Sequence, residues 1–253
     1  MNLRISETVK HLLIINVVMF IGTIIVGDGM LFNRWFSMFF PKNNWFEPWQ
    51  IITHMFMHGG VTHILFNMFA LWMFGTPVEQ RLGSKKFLFV YFSAGLGAVI
   101  LQVGYSYFQF NNLISPLVEH GYTMKEIVAA LNSGGLNKSV VNPIIGPDNL
   151  DSLNNIFYGR LVGASGCIMG ILAAFGVLYP EAKLMMIFLP IPIKAKYFIP
   201  GIILLDLISA LSGNSFFSPS NTAYMAHVGG ALVGFFIMWY WRKNQFNNNR
   251  WDL

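Results

Sequence analysis

Long apolar segments alternate with short polar segments along the whole chain, and this pattern predicts a protein built from membrane-spanning helices. Each apolar run is close to the roughly 20 residues that an α-helix needs to cross a bilayer. The six runs cover residues 10–27, 61–78, 87–108, 161–179, 197–211 and 222–241. A further apolar stretch, 184–189, leads into Pro190-Ile191-Pro192, which cannot continue a helix, so we place it at the membrane interface.

Composition strengthens this interpretation. Of the 253 residues, 55% are hydrophobic and 11% are charged, whereas an ordinary soluble domain has roughly 25% charged residues. We therefore predict an all-α fold, a polytopic bundle of six transmembrane helices that forms a single membrane domain over residues 1–253. No small-residue cleavage site follows the first run, so we interpret it as a span rather than a signal peptide. The single cysteine, Cys167, argues against a disulfide framework and a cysteine-based metal site.

The distribution of basic residues predicts the orientation. They lie in short loops and form no aromatic-lined groove, so we expect no nucleic acid partner. Lys and Arg concentrate on the cytoplasmic side of membrane proteins, and a cytoplasmic N-terminus places eleven of the sixteen inside, with both termini inside. The inner set is Arg4, Lys10, Arg81, Lys85, Lys86, Lys183, Lys194, Lys196, Arg242, Lys243 and Arg250. The outer set is Arg34, Lys42, Lys125, Lys138 and Arg160.

Two outer connections differ in character. Loop 28–60 is crowded with tryptophan and phenylalanine, which indicates either a simple belt at the headgroup level or a loop partly embedded in the outer leaflet beside a site. Connection 109–160 is long for a compact bundle. It has turn residues at Asn132-Ser133-Gly134-Gly135, Asn142-Pro143 and Gly146-Pro147-Asp148. A short helix over 123–131 is predicted there, with Thr123 as N-cap and Glu126 completing a capping box.

Polar residues recur at one predicted depth in three different spans. In this topology the second, fourth and sixth spans all enter the membrane from outside. His63 and Asn67, Ser165, and His227 lie in the first two turns of these spans. A rise of about 1.5 Å per residue places all four roughly 5–10 Å below the outer surface. Polar side chains are costly in lipid unless they face protein or water, so the four residues form a candidate functional site.

Glycine spacing predicts which spans meet. Gly166 and Gly170 in span four, and Gly230 and Gly234 in span six, have the small-xxx-small spacing that lets membrane helices approach closely. We therefore expect spans four and six to be neighbours, with Ser165 and His227 at their contact.

The residue types indicate nucleophilic catalysis. A serine hydroxyl needs a base within hydrogen-bond reach, and neutral His227 can accept its proton and return it to the leaving amine. Asn67, His63, Gly163 and the backbone N–H of Ser165 are candidate donors to an oxyanion. We expect no carboxylate at this depth on the helix faces that carry these residues, so we predict a dyad rather than a triad. Asp206 in span five receives no catalytic role and is expected to bond within the bundle near its outer end. Cys167 is interpreted as packing.

At these residues the chain resembles the rhomboid family of intramembrane serine proteases. The matching motifs are His58-Gly59-x3-His63-x3-Asn67, Gly163-x-Ser165-Gly166, Ala226-His227-x2-Gly230 and Glu79-Gln80-Arg81-Leu82-Gly83. The resemblance implies a Ser165 nucleophile, a His227 base, and an oxyanion hole of His63, Asn67 and the Ser165 N–H. It also implies a structural Glu79 and Arg81 pair, a partly submerged first loop, and substrate entry near span five. The family's Trp-Arg pair in that loop reads Trp49-Gln50 here, and connection 109–160 is longer than in minimal members.

These observations favour a serine endopeptidase that cleaves transmembrane or juxtamembrane segments of membrane proteins. It would need no metal or organic cofactor, and its partners would be transmembrane substrates and the lipid bilayer, with the oligomeric state left open. We expect a bacterial plasma membrane location, with the site open to the outer side. One alternative is a catalytically inactive rhomboid-like binder of transmembrane clients. The other is a metal or proton transporter that uses His54, His58 and His63.

Overall fold

The computed structural model describes residues 4–186, 189–216 and 223–246, and helices dominate this part of the chain. The helices are α1 (Glu7–Ile25), α2 (Met30–Phe36), α3 (Gln50–Thr53), α4 (Val61–Leu82), α5 (Ser84–Glu119), α6 (Met124–Asn132), α7 (Lys138–Ile145), α8 (Pro147–Tyr158), α9 (Ser165–Leu178), α10 (Ala195–Ser212) and α11 (Tyr224–Phe246). Short 3₁₀ turns cover Gly27–Gly29 and His54–Phe56, and α4 contains a π turn at Leu71–Gly75. The strands are β1 (Met38–Phe39), β2 (Arg160–Leu161), β3 (Lys183–Met186) and β4 (Leu189–Lys194), with antiparallel pairs β1–β2 and β3–β4.

A helix forms within each of the six predicted spans, and the prediction of an all-α polytopic membrane protein is confirmed. Four helices in the described part of the chain, α1, α4, α5 and α10, are long and apolar enough to cross a membrane. Helix α1 exposes Ile24 and Ile25 by 60% and 73%, as expected of a surface that faces lipid. Thr222, at the predicted start of the sixth span, and Arg250 lie outside the described residues.

The predicted interfacial stretch before α10 folds as the β3–β4 hairpin. Its prolines Pro190 and Pro192 lie in β4, a strand with one partner, where a missing backbone N–H is tolerated. Residues 187 and 188 of the stretch are outside the described residues.

Helix α9 lies at the centre of the bundle. Every residue from position 166 to 175 is buried, which fits a helix that is apolar on all sides. The surrounding helices contribute Val9 of α1, Leu71 of α4, Phe87 of α5, Ile199 of α10 and Ala231 of α11 to the same core cluster. The helix that carries the candidate serine is therefore held from all directions.

Helix α9 begins later than the apolar run that predicted it. The run starts at residue 161, but Arg160–Leu161 pairs with Met38–Phe39 of the first loop, and Gly163 has a φ of 122° that favours glycine. The helix has 14 residues. It therefore spans only about 21 Å of a hydrocarbon core about 30 Å thick. A helix this short can begin below the membrane surface and still reach the opposite side.

Helix α5 is longer than its apolar run, which ended at residue 108. It has 36 residues and continues to Glu119. Asn111 and Asn112, which interrupt the run, lie exposed on one face, while Phe110 and Ile114 of the opposite face are buried. Phe110 and Ile114 join a second core that α5 forms with α6, α7 and α8. This packing extends the helix beyond the predicted span.

Connection 109–160 is helical beyond the short helix that was predicted. The capping box is confirmed: the Glu126 N–H donates to the Thr123 hydroxyl at 3.2 Å, and the Thr123 N–H donates to the Glu126 carboxylate at 2.8 Å. The turns at Gly134-Gly135 and Gly146 also form, with positive φ angles. The predicted turn at Asn142-Pro143 is wrong, because both residues lie inside α7, which is anchored by the buried side chains of Val141 and Ile145.

Gln50 organises the first loop. Its side chain is fully buried, and its amide donates to the carbonyl oxygens of Arg34 at 3.1 Å and Trp45 at 2.9 Å. Its oxygen accepts the N–H groups of Glu47 at 3.2 Å and Phe39 at 3.4 Å. A glutamine at the position of the family's arginine therefore still connects four backbone groups of the loop, because a side-chain amide both donates and accepts.

Glu79 connects the predicted cytoplasmic ends of three helices. Its carboxylate accepts hydrogen bonds from the Ser6 hydroxyl, the Thr8 and Val9 N–H groups at 3.0 Å, and the Ser84 hydroxyl at 2.8 Å. A carboxylate at the N-terminus of α1 is also favoured by the helix dipole. The Glu79 carboxylate thus makes a connection of the kind that the resemblance implied for this motif.

Helices α9 and α11 pack through glycine, as predicted. A Cβ atom on Gly230 would overlap the carbonyl oxygen of Gly166, and one on Gly234 would overlap that of Gly170. The two backbones are therefore in direct contact, and no larger residue fits at this crossing.

We predict that Gly230→Ala destabilises the protein, whereas Gly104→Ala does not. The added methyl group at position 230 forces the helices apart, at an overpacking cost of about 1–3 kcal/mol. A Cβ at Gly104, in α5, meets nothing within 4 Å, and alanine favours the helix. Thermal unfolding of both purified variants in one detergent measures the difference. Equal melting temperatures for the two variants would contradict the contact.

Candidate active site

Ser165 begins the central helix. It is the first residue of α9 and is half-buried, directly after the turn at Gly163. The first N–H groups of an α-helix have no acceptor within the helix. The backbone N–H of Ser165 therefore points out of the helix N-terminus, where the dipole favours negative charge.

The glycine crossing sets the level of His227. Gly230 faces Gly166 and Gly234 faces Gly170, so α9 and α11 run parallel with a constant offset. With this offset Ser165 is level with Gly229 of α11. His227 lies two positions earlier in α11, about 3 Å nearer the predicted outer end. His227 is on the same face of α11 as Gly230, one turn earlier, and its side chain is largely buried. Ser165 and His227 therefore both lie next to the crossing.

Asp206 of α10 contacts the same histidine. Its Oδ2 lies 2.7 Å from Nδ1 of His227, and the aspartate is fully buried. The expectation that Asp206 bonds within the bundle is therefore confirmed, whereas the expectation that no carboxylate accompanies the serine and histidine at this depth is wrong. Asp206 is near the C-terminal end of α10, and the depth of such a residue is counted back from the end of its helix.

His63 and Asn67 of α4 face the turn before the serine. A Cβ atom on Gly163 would lie 2.8 Å from Nε2 of His63 and 3.7 Å from Nδ2 of Asn67. The Gly59 N–H donates to Nδ1 of His63 at 3.3 Å. A neutral imidazole that accepts at Nδ1 carries its proton on Nε2, so His63 presents an N–H toward this turn.

The side-chain amide of Asn67 carries a hydrogen-bond donor that no described residue accepts. The side chain is buried, and its Nδ2 makes no hydrogen bond with any residue that the structure describes. A buried donor without an acceptor is costly, and such groups call for a specific explanation. An anionic oxygen beside Gly163 would satisfy the Asn67 amide and the Nε2–H of His63 together.

The first loop supports the Gly163 turn. The Gly163 N–H donates to the carbonyl oxygen of His54 at 2.9 Å, and Nδ1 of His54 lies 2.8 Å from the carbonyl oxygen of Gln50. Burial lowers the pKa of His54 to about 4, so the ring is neutral at physiological pH and donates to Gln50. Gln50, His54 and Gly163 thus form one hydrogen-bonded chain from the loop to the site. The prediction of Gly163 as an oxyanion donor is wrong, because its N–H is already bonded to His54.

The remaining loop histidine, His58, packs edge to face on His63 with ring centroids 5.1 Å apart. Burial lowers the pKa of His58 to about 4. No group of three or more His, Cys, Asp or Glu side chains that could hold a metal ion occurs within residues 4–186, 189–216 and 223–246. The alternative of a metal transporter based on His54, His58 and His63 therefore has no ligand cluster in this part of the chain.

A cavity of about 240 Å³ lies at the β1–β2 pair. It is bounded by both β1 and β2, by α5 and α8, and by Ala223, just before α11. Polar groups of Gln102, Ser106, Asn155 and Arg160 line it together with apolar side chains. Leu161 and Ala223 of its lining are close in sequence to Gly163 and His227, but none of the candidate site residues lines it.

Comparison with known proteins gives a consistent result. The Rhomboid domain profile matches residues 46–244. The mitochondrial presenilin-associated rhomboid-like protein of Rattus norvegicus is 30% identical over 186 residues, which cover 73% of this chain and 35% of that protein. The mitochondrial Rhomboid protein 1 of Saccharomyces cerevisiae is 26% identical over 195 residues, 77% of this chain and 42% of that protein.

A bacterial relative is similar over a shorter segment. The rhomboid protease GlpG of Salmonella paratyphi A is 39% identical over 74 residues, 29% of this chain and 26% of that protein. The chain spans about two fifths or less of the length of these curated relatives.

The geometry predicts that a small fluorophosphonate labels Ser165 in the purified protein. Phosphonylation needs a base for the hydroxyl proton, so His227→Ala should slow labelling by about 10²-fold or more, and Ser165→Ala should abolish it. His11→Ala, which removes an exposed histidine from α1, should label at the wild-type rate. Peptide mass spectrometry identifies the modified residue. Labelling at another serine would contradict the assignment.

Proposed function

The chain belongs to the rhomboid family, and from this premise we propose that it is a serine endopeptidase that cleaves transmembrane or juxtamembrane segments of other membrane proteins. The observation that carries the proposal is the crossing of α9 and α11. The half-buried Ser165 directly precedes Gly166 of this crossing, and the largely buried His227 lies one turn before Gly230. A hydroxyl and an imidazole in this setting suit acyl transfer better than a role in packing.

In the proposed reaction Ser165 attacks the scissile carbonyl while Nε2 of His227 accepts the hydroxyl proton. The histidine then gives that proton to the leaving amine, and water attacks the acyl-enzyme by the same route. No metal or organic cofactor takes part in this proposal. The serine, the histidine and water are sufficient for peptide hydrolysis.

The oxyanion of the tetrahedral intermediate would lie beside Gly163. Asn67 Nδ2, His63 Nε2 and the Ser165 N–H all border this turn, so three donors could converge on one oxygen. Donors that are already fixed stabilise developing charge without reorganisation in the transition state. The donor of Asn67 that has no acceptor among the described residues gives this arrangement its main support.

The protein is an integral membrane protein, so its substrates would be membrane proteins. Cleavage needs an extended backbone and water, and a substrate helix that contains glycine or proline unwinds at the lowest cost. We propose that the site opens toward the outer side of a bacterial plasma membrane, with both termini cytoplasmic. The relatives named as mitochondrial make a mitochondrial membrane the alternative location.

A second proposal is a rhomboid-like protein that binds transmembrane clients without cutting them. The relatives named only as rhomboid-like motivate it. The presence of both Ser165 and His227 disfavours it, since a binder needs neither a nucleophile nor a base.

Cleavage of a test substrate distinguishes the two proposals. The purified protein in lipid vesicles should cut a single-span protein whose helix contains a glycine-proline pair. Ser165→Ala and His227→Ala should leave it intact, and His11→Ala should cut like the wild type. Cleavage is followed by gel and the new terminus by mass spectrometry. Wild-type protein that retains the uncut substrate during purification would favour the binder.

We predict that Asn67→Ala slows turnover without abolishing it. Loss of one oxyanion donor costs about 10²–10³-fold in kcat, and the donors of His63 and Ser165 remain. Asn67→Asp provides a variant of matched size that replaces the donor with an acceptor, so its kcat should be at least as low. Initial rates on the same substrate measure both. An unchanged kcat in Asn67→Ala would remove this residue from the oxyanion hole.

A further inference from the structure

We propose that Asp206 is a positioning residue for His227, which turns the expected dyad into a Ser165–His227–Asp206 arrangement. The inference rests on the proposed function. Its structural basis is the 2.7 Å contact between Asp206 Oδ2 and His227 Nδ1, made between α10 and α11.

The contact selects one form of the neutral histidine. An ionised carboxylate only accepts hydrogen bonds, and a neutral imidazole has one N–H group. The proton must therefore lie on Nδ1, where it is donated to Asp206. Nε2 then carries the lone pair, which is the form that a general base for Ser165 requires.

Burial makes the contact specific. Asp206 is fully buried and His227 is 9% exposed, so solvent does not compete for the hydrogen bond. A carboxylate in a membrane helix is costly unless it is paired, and such residues mark functional sites by default. The structure thus places a group of high cost directly behind the candidate base, on a neighbouring helix.

Ser209, one turn further along α10, shows how a structural polar group behaves in the same helix. It is also fully buried, but its hydroxyl donates to the Leu205 carbonyl oxygen at 2.8 Å and accepts the Phe216 N–H at 3.3 Å. Both contacts are to the backbone close by in sequence. Asp206 reaches instead to the side chain of another helix, 21 positions away.

Asp206 would act without taking up a proton. When Ser165 attacks, the hydroxyl proton moves to Nε2, and the ring becomes positively charged between the serine and the aspartate. The ionised Asp206 stabilises that charge and keeps the ring in place until the proton passes to the leaving amine. The serine and histidine carry out the bond changes, and the aspartate orients the base.

The first experiment is the time course of fluorophosphonate labelling for full-length wild type, Asp206→Asn, Asp206→Glu and Ser209→Ala. We expect Asp206→Asn to lower the labelling rate constant by about 10²–10⁴-fold with an unchanged end point, because its amide can offer an N–H to Nδ1 and favour the wrong tautomer. Asp206→Glu should recover part of the rate, and Ser209→Ala should match the wild type.

The end point separates positioning from folding. A purely structural Asp206 would lower the labelled fraction and the melting temperature in Asp206→Asn while the remaining protein reacts at the wild-type rate. That outcome, or a rate constant within about twofold of wild type, would overturn the inference, since loss of an orienting carboxylate is expected to cost far more.

The second experiment needs no activity. Nitrogen-15 NMR of imidazole-labelled protein, with His227→Ala to assign the signal, reports which ring nitrogen carries the proton. We expect Nδ1–H in the wild type and a changed nitrogen pattern in Asp206→Asn but not in Ser209→Ala. A wild-type ring protonated on Nε2 would overturn the inference. If this measurement agrees while no transmembrane substrate is cut, the proposed protease function fails and the role of Asp206 in orienting the ring stands.

Discussion

The direct backbone contact between α9 and α11 is the constraint on which the site depends. Lipid is as apolar as leucine, so helices in a membrane associate through close packing rather than through burial from water. Gly230 and Gly234 meet the carbonyl groups of Gly166 and Gly170, and this contact fixes the register of the two helices. Since α11 also packs tightly through glycine against α5 on its other side, it has no freedom to slide. The relative level of serine and histidine follows from this packing.

Around that contact, buried polar groups fall into two kinds. Glu79 accepts hydrogen bonds from backbone N–H groups and joins helix ends. The Gln50 amide donates to backbone carbonyl oxygens and joins segments of the first loop. Asn67 retains a buried donor without an acceptor among the described residues. Asp206 reaches the candidate base, His227. A buried donor without an acceptor lowers stability, and a carboxylate within a membrane helix is costly even when it is paired. Asn67 and Asp206 are therefore retained at a cost, and both lie beside the candidate serine and histidine.

The sequence was sufficient where local patterns decide the structure and insufficient where distant contacts do. Apolar runs predicted a helix at all six positions, and the capping box at Thr123 was correct because both partners lie within one turn. The extension of α5 and the helix across Pro143 depend on a second core whose members come from four helices. Likewise, Arg160–Leu161 leaves the predicted helix because it pairs with Met38–Phe39, which is more than a hundred residues away.

The candidate site could also be predicted from the sequence only in part. Ser165, His227, His63 and Asn67 were found by counting depth from the beginnings of helices that enter the membrane from one side. A helix that crosses in the other direction reaches that level near its end, and Asp206 lies six residues before the end of α10, about 9 Å along the axis. The outer level of Asp206 was therefore accessible from the sequence, but its partner was not, because the spacing within one helix does not show which neighbouring helix it faces. A buried aspartate requires a partner on an adjacent helix, and a histidine at the same level is the partner that gives such a carboxylate a role in proton transfer.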